Sequence, residues 1–561
     1  MNPKKENGYK KFFRKFVRPY AFTILLLLGL NFLGLLFSLV SPLLTRSLID
    51  DVFIGKRVEL FGYILLGIAG IYVISAISNY FSGYISGKLN LTLFKNVTGE
   101  TFNTIQFASL RKTQQMKIGD MLSRIMSNVN SAIQIFSSIF PGFVMSIISI
   151  VAPFIIMLYL NPQLTLIVMT PVFLFVFSSA FFGKRIKHEQ RASLDKMASV
   201  HSFLKEALST IPLIKVFGLE KWSQDKFQGQ MNDYYNASID VTKTSSLSGS
   251  VGSLIYGVPM VLLFAFGGVM VIQGSLTLGT LMAFMGYVGL FFSPISRLSH
   301  LWTSYKSSSA AFDRVNEVFE LEQDGKGNEE LIVKNGVVEF KEVWFSYDKR
   351  QILNGFNATF KKGLNYIIGD NGSGKTTILK LLCSLYPLEK GHITIDGQEL
   401  SKVRKEDLRK SISIVFSEPY LFDSSIYENI HMGKISASEE EVINAATLAR
   451  VHEFIMSLPQ GYETEVGEAG LKLSSGEKQK IALSRSILKS SPIILLDEVT
   501  KSIDAESRRS INESIEHLKN EKTIIIVTHD MTEIEDESNI TYLGQKMVQQ
   551  ENKLLTQINA D

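Results

Sequence analysis

The chain has 561 residues, which is too many for one domain, and 46% of them are hydrophobic, including 38 phenylalanines. A formal net charge of +4 is too small to indicate nucleic acid as a partner. The single cysteine, Cys383, excludes an intrachain disulfide and is expected to be a core thiol. Because apolar residues concentrate before about residue 310, the sequence predicts two unlike halves.

The first half contains apolar runs long enough to cross a bilayer. Residues 10–19 predict a short basic and aromatic helix on the membrane surface. The run that follows is too long for a signal peptide and has no small-residue cleavage site close behind it, so we expect a retained anchor. Six spans are predicted, at about residues 21–40, 61–81, 133–160, 164–182, 251–272 and 280–293.

The connections between these spans alternate in character. Residues 86–132 and 184–245 are long, polar and helix-like, and the second is rich in lysine and arginine, whereas the other connections are short. Basic connections on one side match the positive-inside bias and place both chain ends in the cytoplasm. Polar residues within the spans are mostly serine, threonine and asparagine, which favours helix packing over substrate contact, and no transport-site residue is predicted.

The composition changes after about residue 310. Residues 321–330 are polar and glycine-containing, as in a linker. Beyond them, strand-like alternations are separated by helical stretches, which indicates an α/β domain with a largely parallel central sheet.

A phosphate-binding loop lies in this second half, between an apolar strand and a helix. Its glycines let backbone N–H groups turn onto phosphate oxygens, Lys375 is expected to reach the β- and γ-phosphates, and Thr376 is the expected Mg²⁺ ligand. An incidental glycine-rich turn is the alternative, which the strand and helix on either side disfavour. The loop, all of which is expected to bind nucleotide, is Gly369-Asp370-Asn371-Gly372-Ser373-Gly374-Lys375-Thr376-Thr377.

Two acids and a histidine follow apolar strands downstream. The run 493–496 ends in Asp497 and Glu498, at the kind of sheet edge where ligands bind. Asp497 is placed to hold Mg²⁺ and Glu498 to polarise the attacking water. His529 follows another apolar strand; a structural role is the alternative, but the shared sheet edge favours a γ-phosphate contact. Lys375, Glu498 and His529 are therefore the predicted catalytic residues.

The stretch Leu473-Ser474-Ser475-Gly476-Glu477-Lys478-Gln479-Lys480 resembles the signature sequence of ATP-binding cassette (ABC) proteins, usually written LSGGQ, and it lies just before the Asp497 strand. With the other motifs it makes the whole chain resemble an ABC exporter of the half-transporter type. The resemblance implies an α-helical membrane domain of six spans (1–310), a linker (311–331) and an α/β P-loop ATPase domain (332–561).

The resemblance also assigns roles to further residues. Tyr347 matches the aromatic residue that stacks on adenine, although an outward-facing strand residue is the alternative. Ser474 and Gly476 match groups that contact the γ-phosphate held by the opposite subunit. Residues 119–124 resemble a stretch just after the first coupling helix, for which an amphipathic helix surface is a fair rival.

Four residues depart from the family pattern. Ser417 stands where the family usually has a glutamine that senses Mg²⁺ and the γ-phosphate, and serine would act there only through water. Ser475 and Glu477 alter the signature, and Lys501 replaces a small residue in the loop after Glu498. These changes leave two alternatives open: a homodimer, or one chain of a heterodimer with asymmetric ATP sites.

The resemblance therefore implies ATP-driven export, with ATP and Mg²⁺ as cofactors, of a hydrophobic or amphipathic peptide, drug or lipid. A soluble ATPase would lack the spans, and an importer's ATPase usually lies on a separate chain. An ATP-gated regulator that does not pump stays open. The implied partners are a second copy or a related half-transporter, membrane lipids and the substrate, but no nucleic acid. The expected location is a bacterial plasma membrane, with the ATPase domain in the cytoplasm.

Overall fold

A computed structural model describes residues 3–325, 327–348, 350–501, 503–529, 534 and 539–543. They form two compact units. The membrane unit joins the residues up to Asn103 with Ile118–Glu320, and the ATPase unit joins Thr104–Lys117 with the residues from Leu321 onward.

The membrane unit is helical. Of the helices given in this paragraph, α4 and residues 104–106 of α3 belong to the ATPase unit. Within the described part of the chain, six continuous helical segments are long and apolar enough to cross a membrane: Gly8–Ile54, Glu59–Gln106, Ile118–Leu160, Pro162–Ser209, Glu220–Ile272 and Leu278–Phe319. Short π-helical turns interrupt several of them. The α-helices are α1 (Pro3–Phe12), α2 (Ala21–Ser47), α3 (Glu59–Gln106), α4 (Leu110–Thr113), α5 (Ile118–Ser123), α6 (Val129–Gln134), α7 (Phe140–Leu160), α8 (Pro162–Met169), α9 (Pro171–Ser209), α10 (Ile211–Val216), α11 (Glu220–Leu262), α12 (Gly268–Ile272) and α13 (Leu278–Phe319).

Local sequence explains where two of these helices begin. Asn161 separates α7 from α8, and its side chain accepts a hydrogen bond from the Leu164 N–H at 3.0 Å while Pro162 occupies the first helical position. At α13, Thr277 caps the helix, and the carboxylate of Asp50 accepts from the Gly279 N–H at 2.8 Å. The short connections expected at both positions are therefore present.

The structure differs from the predicted membrane-surface helix near the N-terminus. The segment is helical, but Phe12 and Phe16 are buried against protein, whereas Phe13 is 43% exposed. Tyr9 stacks on Phe312 with ring centroids 3.9 Å apart, Phe12 meets the edge of the same ring at 5.1 Å, and Phe16 lies 5.8 Å from Phe319. These contacts bury the end of α13, which explains why the helix extends through residues 311–319 of the predicted linker.

The ATPase unit contains two sheets. Among its described strands, β6-β7-β8-β3-β9 form a parallel sheet in that order, and β2-β1-β4-β5 form an antiparallel sheet that the sequence does not predict. The strands are β1 (Val338–Tyr347), β2 (Arg350–Phe360), β3 (Gly363–Gly369), β4 (Lys390–Ile395), β5 (Gln398–Glu399), β6 (Ile412–Val415), β7 (Ile493–Asp497), β8 (Thr523–Thr528) and β9 (Ile540–Leu543).

The parallel sheet lies between two apolar cores. Successive residues of its strands alternate between them: Ile494 and Leu496 pack into one core, whereas Ile493 and Leu495 pack into the other with the antiparallel sheet. The helices of this unit are α14 (Lys375–Leu382), α15 (Lys405–Ser411), α16 (Ile426–His431), α17 (Glu439–Leu448), α18 (His452–Ser457), α19 (Ser475–Lys489) and α20 (Ala505–Leu518).

Candidate functional site

The phosphate-binding loop connects β3 to α14, as the sequence predicts. Its backbone depends on glycine at two positions, because Gly372 and Gly374 have φ angles of +84° and +104°. A Cβ atom on Gly374 would also lie 2.7 Å from Cγ2 of Ile352 on β2. Both the left-handed backbone and the neighbouring strand therefore exclude a larger residue there.

Two side chains of the loop are arranged as a phosphate site requires. The Lys375 side chain is only 5% exposed, and its ammonium donates to the carbonyl oxygens of Gly369 at 2.7 Å and Asp370 at 3.2 Å. The buried hydroxyl of Ser373 has no hydrogen-bond partner among the described residues. A buried donor without an acceptor is costly, so the loop fits an anionic ligand that accepts from it.

The strand β7 brings Asp497 next to the loop. The Thr376 hydroxyl donates to its carboxylate at 2.9 Å, and the Asp497 side chain is buried. Burial raises the pKa of Asp497, and the hydrogen bond from Thr376 opposes that rise only in part. Two adjacent oxygen ligands of this kind suit Mg²⁺, whose remaining ligands in such sites are phosphate oxygens and water.

Glu498 lies among three basic side chains. One carboxylate oxygen is 2.6 Å from Nζ of Lys501, and the other is 3.7 Å from Nζ of Lys375 and 3.8 Å from Nδ1 of His529. Burial raises the pKa of Glu498, but the hydrogen bond and charge of Lys501, with the charges of Lys375 and His529, outweigh it and lower the pKa overall. The carboxylate is therefore held in its charged form.

Lys375, Thr376, Asp497 and Glu498 line one cavity of about 340 Å³, and Ser373, Lys501 and His529 lie outside its lining. Ser417 also lines it, and the side-chain amide of Gln479 holds its backbone by donating to the Ser417 carbonyl at 2.7 Å. Arg350 and Ile352, which β2 contributes, are not predicted from the sequence, because the sequence predicts no strand there. The full lining is Arg350, Ile352, Asn371, Gly372, Gly374, Lys375, Thr376, Thr377, Ser417, Asp497 and Glu498.

Three of the predicted site residues lie elsewhere in the ATPase unit. Tyr347 ends β1, where its ring meets the edges of Phe345 and Tyr386 at 4.8 and 5.2 Å. Ser474 caps α19 in a reciprocal capping box with Glu477. Gly476 faces α20, since a Cβ atom there would lie 2.5 Å from the Ser507 hydroxyl. In the described part of this chain, neither signature residue lines the loop cavity.

A contact that the sequence does not reveal joins the segment Thr104–Lys117 to the rest of the ATPase unit. The Tyr386 hydroxyl donates to the side-chain carbonyl of Gln114. Ala108 pairs with Gln323 in an antiparallel bridge, and Arg409 holds Asp324 at 2.8 Å. The segment is thereby attached to the linker and, through Tyr386, to the ring of Tyr347.

Comparisons with known proteins agree over nearly the whole chain. Residues 24–295 match the family model of the ABC transporter transmembrane region, and residues 353–501 match the ABC transporter family model. YgaD of Bacillus subtilis (strain 168), named as a candidate multidrug export ATP-binding/permease protein, is 30% identical over 98% of this chain and 96% of its own length.

A second relative and a solved structure extend the match. The ATP-dependent lipid A-core flippase of Syntrophus aciditrophicus (strain SB) is 28% identical over 89% of this chain and 84% of its own length. A bacterial Atm1-family ABC exporter with ATP bound has the same fold, with a TM-score of 0.80, 24% identity and 94% of each chain covered. The chain thus belongs to the ABC transporters as a half-transporter of the exporter type, a multi-pass membrane protein whose ATP hydrolysis is coupled to transport.

Proposed function

We propose that two such chains form an exporter of the bacterial plasma membrane that moves a hydrophobic or amphipathic peptide, drug or lipid. The ATPase unit lies in the cytoplasm in this proposal, in keeping with the many basic residues in the connection between the fourth and fifth spans. The observation that carries the proposal is the single cavity in which the phosphate-binding loop meets Asp497 and Glu498.

In and around that cavity, each side chain has a separate task. Lys375 exchanges its bonds with the loop carbonyls for bonds with the β- and γ-phosphates of ATP, and the unpartnered hydroxyl of Ser373 donates to a phosphate oxygen. Glu498 accepts a proton from the attacking water as a general base, and His529 supports the γ-phosphate. Tyr347 stacks on adenine from the end of β1.

The cavity also fits Mg²⁺. The Thr376 hydroxyl and the Asp497 carboxylate would hold the ion, and Ser417 would reach it through a water molecule. When bound, Mg²⁺ neutralises charge on the phosphate oxygens. The buried Asp497 carboxylate is suited to this role, because a nearby cation favours its charged form.

An amphipathic substrate is supported by a cavity of about 620 Å³ within the membrane unit. It lies between α9, α11 and α13 and combines aromatic rings with several hydroxyl groups. A cavity of this size and mixed lining suits a small molecule with an apolar body and a few hydrogen-bonding groups. Its lining includes Phe175, Tyr256 and Phe292 beside Ser178, Ser248 and Ser293.

The position of the signature supports a dimer. If Ser474 and Gly476 contact a γ-phosphate, the phosphate must belong to a second chain, because neither residue lines the loop cavity of this one. A second copy is the simpler partner. A related half-transporter is the alternative partner, since Ser417 and Lys501 each depart from the family pattern.

The proposal is tested by ATP hydrolysis of the purified chain in lipid, with a panel of lipids, drugs and peptides. The Glu498→Gln variant should bind ATP but hydrolyse it at least about a hundredfold more slowly, as expected for loss of a general base. Near-normal turnover would remove Glu498 from that role. Stimulation of the unaltered chain by one substrate class would name the cargo, and its absence across the panel would favour a regulator that does not pump.

A further inference from the structure

We propose that Lys501 is a positioning residue that restrains ATP hydrolysis by holding Glu498 in an ion pair. The proposal rests on the role of Glu498 as general base given above. It adds that Lys501, four residues beyond the predicted Mg²⁺ ligand, partly sets the basal turnover. Nothing in the lining of the cavity requires a cation at that position.

The geometry of the turn fixes the pair. Glu498 has a φ angle of +48°, its N–H donates to the Val527 carbonyl at 2.9 Å, and the Lys501 N–H donates back to the Glu498 carbonyl at 3.1 Å. This closed turn places the Lys501 ammonium 2.6 Å from one carboxylate oxygen of Glu498. The backbone of the turn, together with the two long side chains, therefore brings Lys501 and Glu498 into contact.

The two oxygens of Glu498 are occupied unequally. The oxygen that faces Lys375 and His529 is 3.7 and 3.8 Å from them, beyond hydrogen-bond distance, whereas the other accepts a short charge-assisted bond from Lys501. An oxygen that already accepts from an ammonium group is a weaker acceptor for a proton of water. The ion pair also sets the direction in which the carboxylate points.

The exposure of the two partners differs. The Glu498 side chain is 13% exposed, and the Lys501 side chain is 43% exposed. Glu498 therefore depends on its neighbours for compensation of its charge, whereas the Lys501 ammonium can exchange the carboxylate for water. Such a pair restrains the base without blocking it.

The test compares ATP hydrolysis by purified variants, each with any partner chain that co-purifies. Lys501→Ala and Lys501→Met should raise kcat about three- to tenfold with an unchanged KM for ATP. This increase is smaller than the rate change that would follow if the whole energy of a hydrogen bond to a charged group were released. Lys501→Arg keeps the charge and the donor and should stay near the unaltered rate. Lys402→Ala, which removes an exposed lysine 3.3 Å from Glu399, is the matched control and should change nothing.

A Glu498→Gln background separates this proposal from the one it rests on. If Lys501 acts through Glu498, Lys501→Ala should have no effect in that background. A fall in kcat for Lys501→Ala, or a rise that persists without Glu498, would overturn the restraint while leaving the role of Glu498 intact. Rapid hydrolysis by Glu498→Gln alone would overturn both. Binding of a fluorescent ATP analogue checks that each variant is folded.

Discussion

Ser417 lines the loop cavity together with Asp497 and Glu498, and its side chain is shorter than the glutamine expected there. Its backbone is held by Gln479, so the loop can present a longer side chain from the same position. We expect Ser417→Gln to raise turnover or to lower the Mg²⁺ concentration needed for half-maximal activity. A titration of ATP hydrolysis against Mg²⁺ checks this, with Ser417→Ala as the control. Identical profiles for all three proteins would mean that serine is a neutral replacement.

Cys383 follows the last turn of α14 and packs against the core of the ATPase unit. Burial raises the pKa of its thiol to about 12, although the charges of Lys489 and Arg409 oppose the rise. The thiolate is the reactive form, so the protonated thiol should resist alkylation from pH 7 to 9. Iodoacetamide followed by mass spectrometry should find no modification of the native protein and one in denaturant. Rapid modification of the native protein would show that the thiol is accessible and ionised.

Among the elements, the segment Thr104–Lys117 lies between two parts of the membrane unit in sequence but packs with the ATPase unit. The Tyr386 hydroxyl donates to Gln114, and the Tyr386 ring lies 5.2 Å from that of Tyr347. Burial raises the pKa of Tyr386, so its hydroxyl remains a donor at physiological pH. Gln114 therefore contacts Tyr386, and Tyr386 contacts Tyr347, the residue expected to stack on adenine. The segment that carries Gln114 is continuous in sequence with the spans.

The variant Tyr386→Phe tests whether this contact transmits substrate binding. It removes the hydrogen bond to Gln114, worth about 1 kcal/mol, but keeps the ring against Tyr347. Basal hydrolysis should change little, whereas stimulation by a transported substrate should fall. Gln114→Ala removes the same bond from the other side and should behave alike. A loss of basal activity in both variants would instead assign the bond to the stability of the ATPase unit.

The sequence predicts those elements whose signals are local. Five of the six spans are apolar runs long enough to be read alone, whereas the sixth, at about residues 280–293, is marginal by itself. The loop at Gly369–Thr377 has its strand and helix beside it. Parallel strands end at one sheet edge, so proximity of Asp497 and Glu498 to the loop could also be expected. The strand β2 could not be predicted, because Arg350–Phe360 contains two asparagines and a glycine and is stabilised by pairing with β1.

Contacts that depend on backbone conformation or distant pairing leave no such signal. The Lys501–Glu498 pair requires the left-handed backbone of Glu498, which non-glycine residues seldom adopt. The contact of Tyr386 with Gln114 joins residues 272 positions apart. The N-terminal aromatic residues looked suited to a lipid surface because sequence alone does not show that Phe312 and Phe319 are available to cover them.

On the scale of the whole molecule, the chain passes between its two compact units at three points, near residues 103, 117 and 320. Two of these crossings flank the segment that contacts Tyr386, and the third enters the linker held by Arg409. The ATPase unit is therefore tied covalently to the second, third and sixth spans. A conformational change in the ATPase unit can therefore be transmitted to the membrane unit through three covalent connections.

The separation of the signature from the loop cavity leads to a last prediction. A homodimer has two equivalent ATP sites, each made of a loop from one chain and a signature from the other. Lys375→Ala should inactivate the loop of its own chain, and Ser474→Phe should block the signature it offers to its partner. A dimer purified through a different tag on each variant places both defects in one site and leaves the other site intact. It should hydrolyse ATP at about half the unaltered rate if the sites act independently, although each variant alone is inactive.

A doubly tagged unaltered dimer supplies the reference rate. An inactive mixed dimer would contradict independent sites shared between identical chains. Failure to recover any dimer with both tags would turn the search to a different half-transporter.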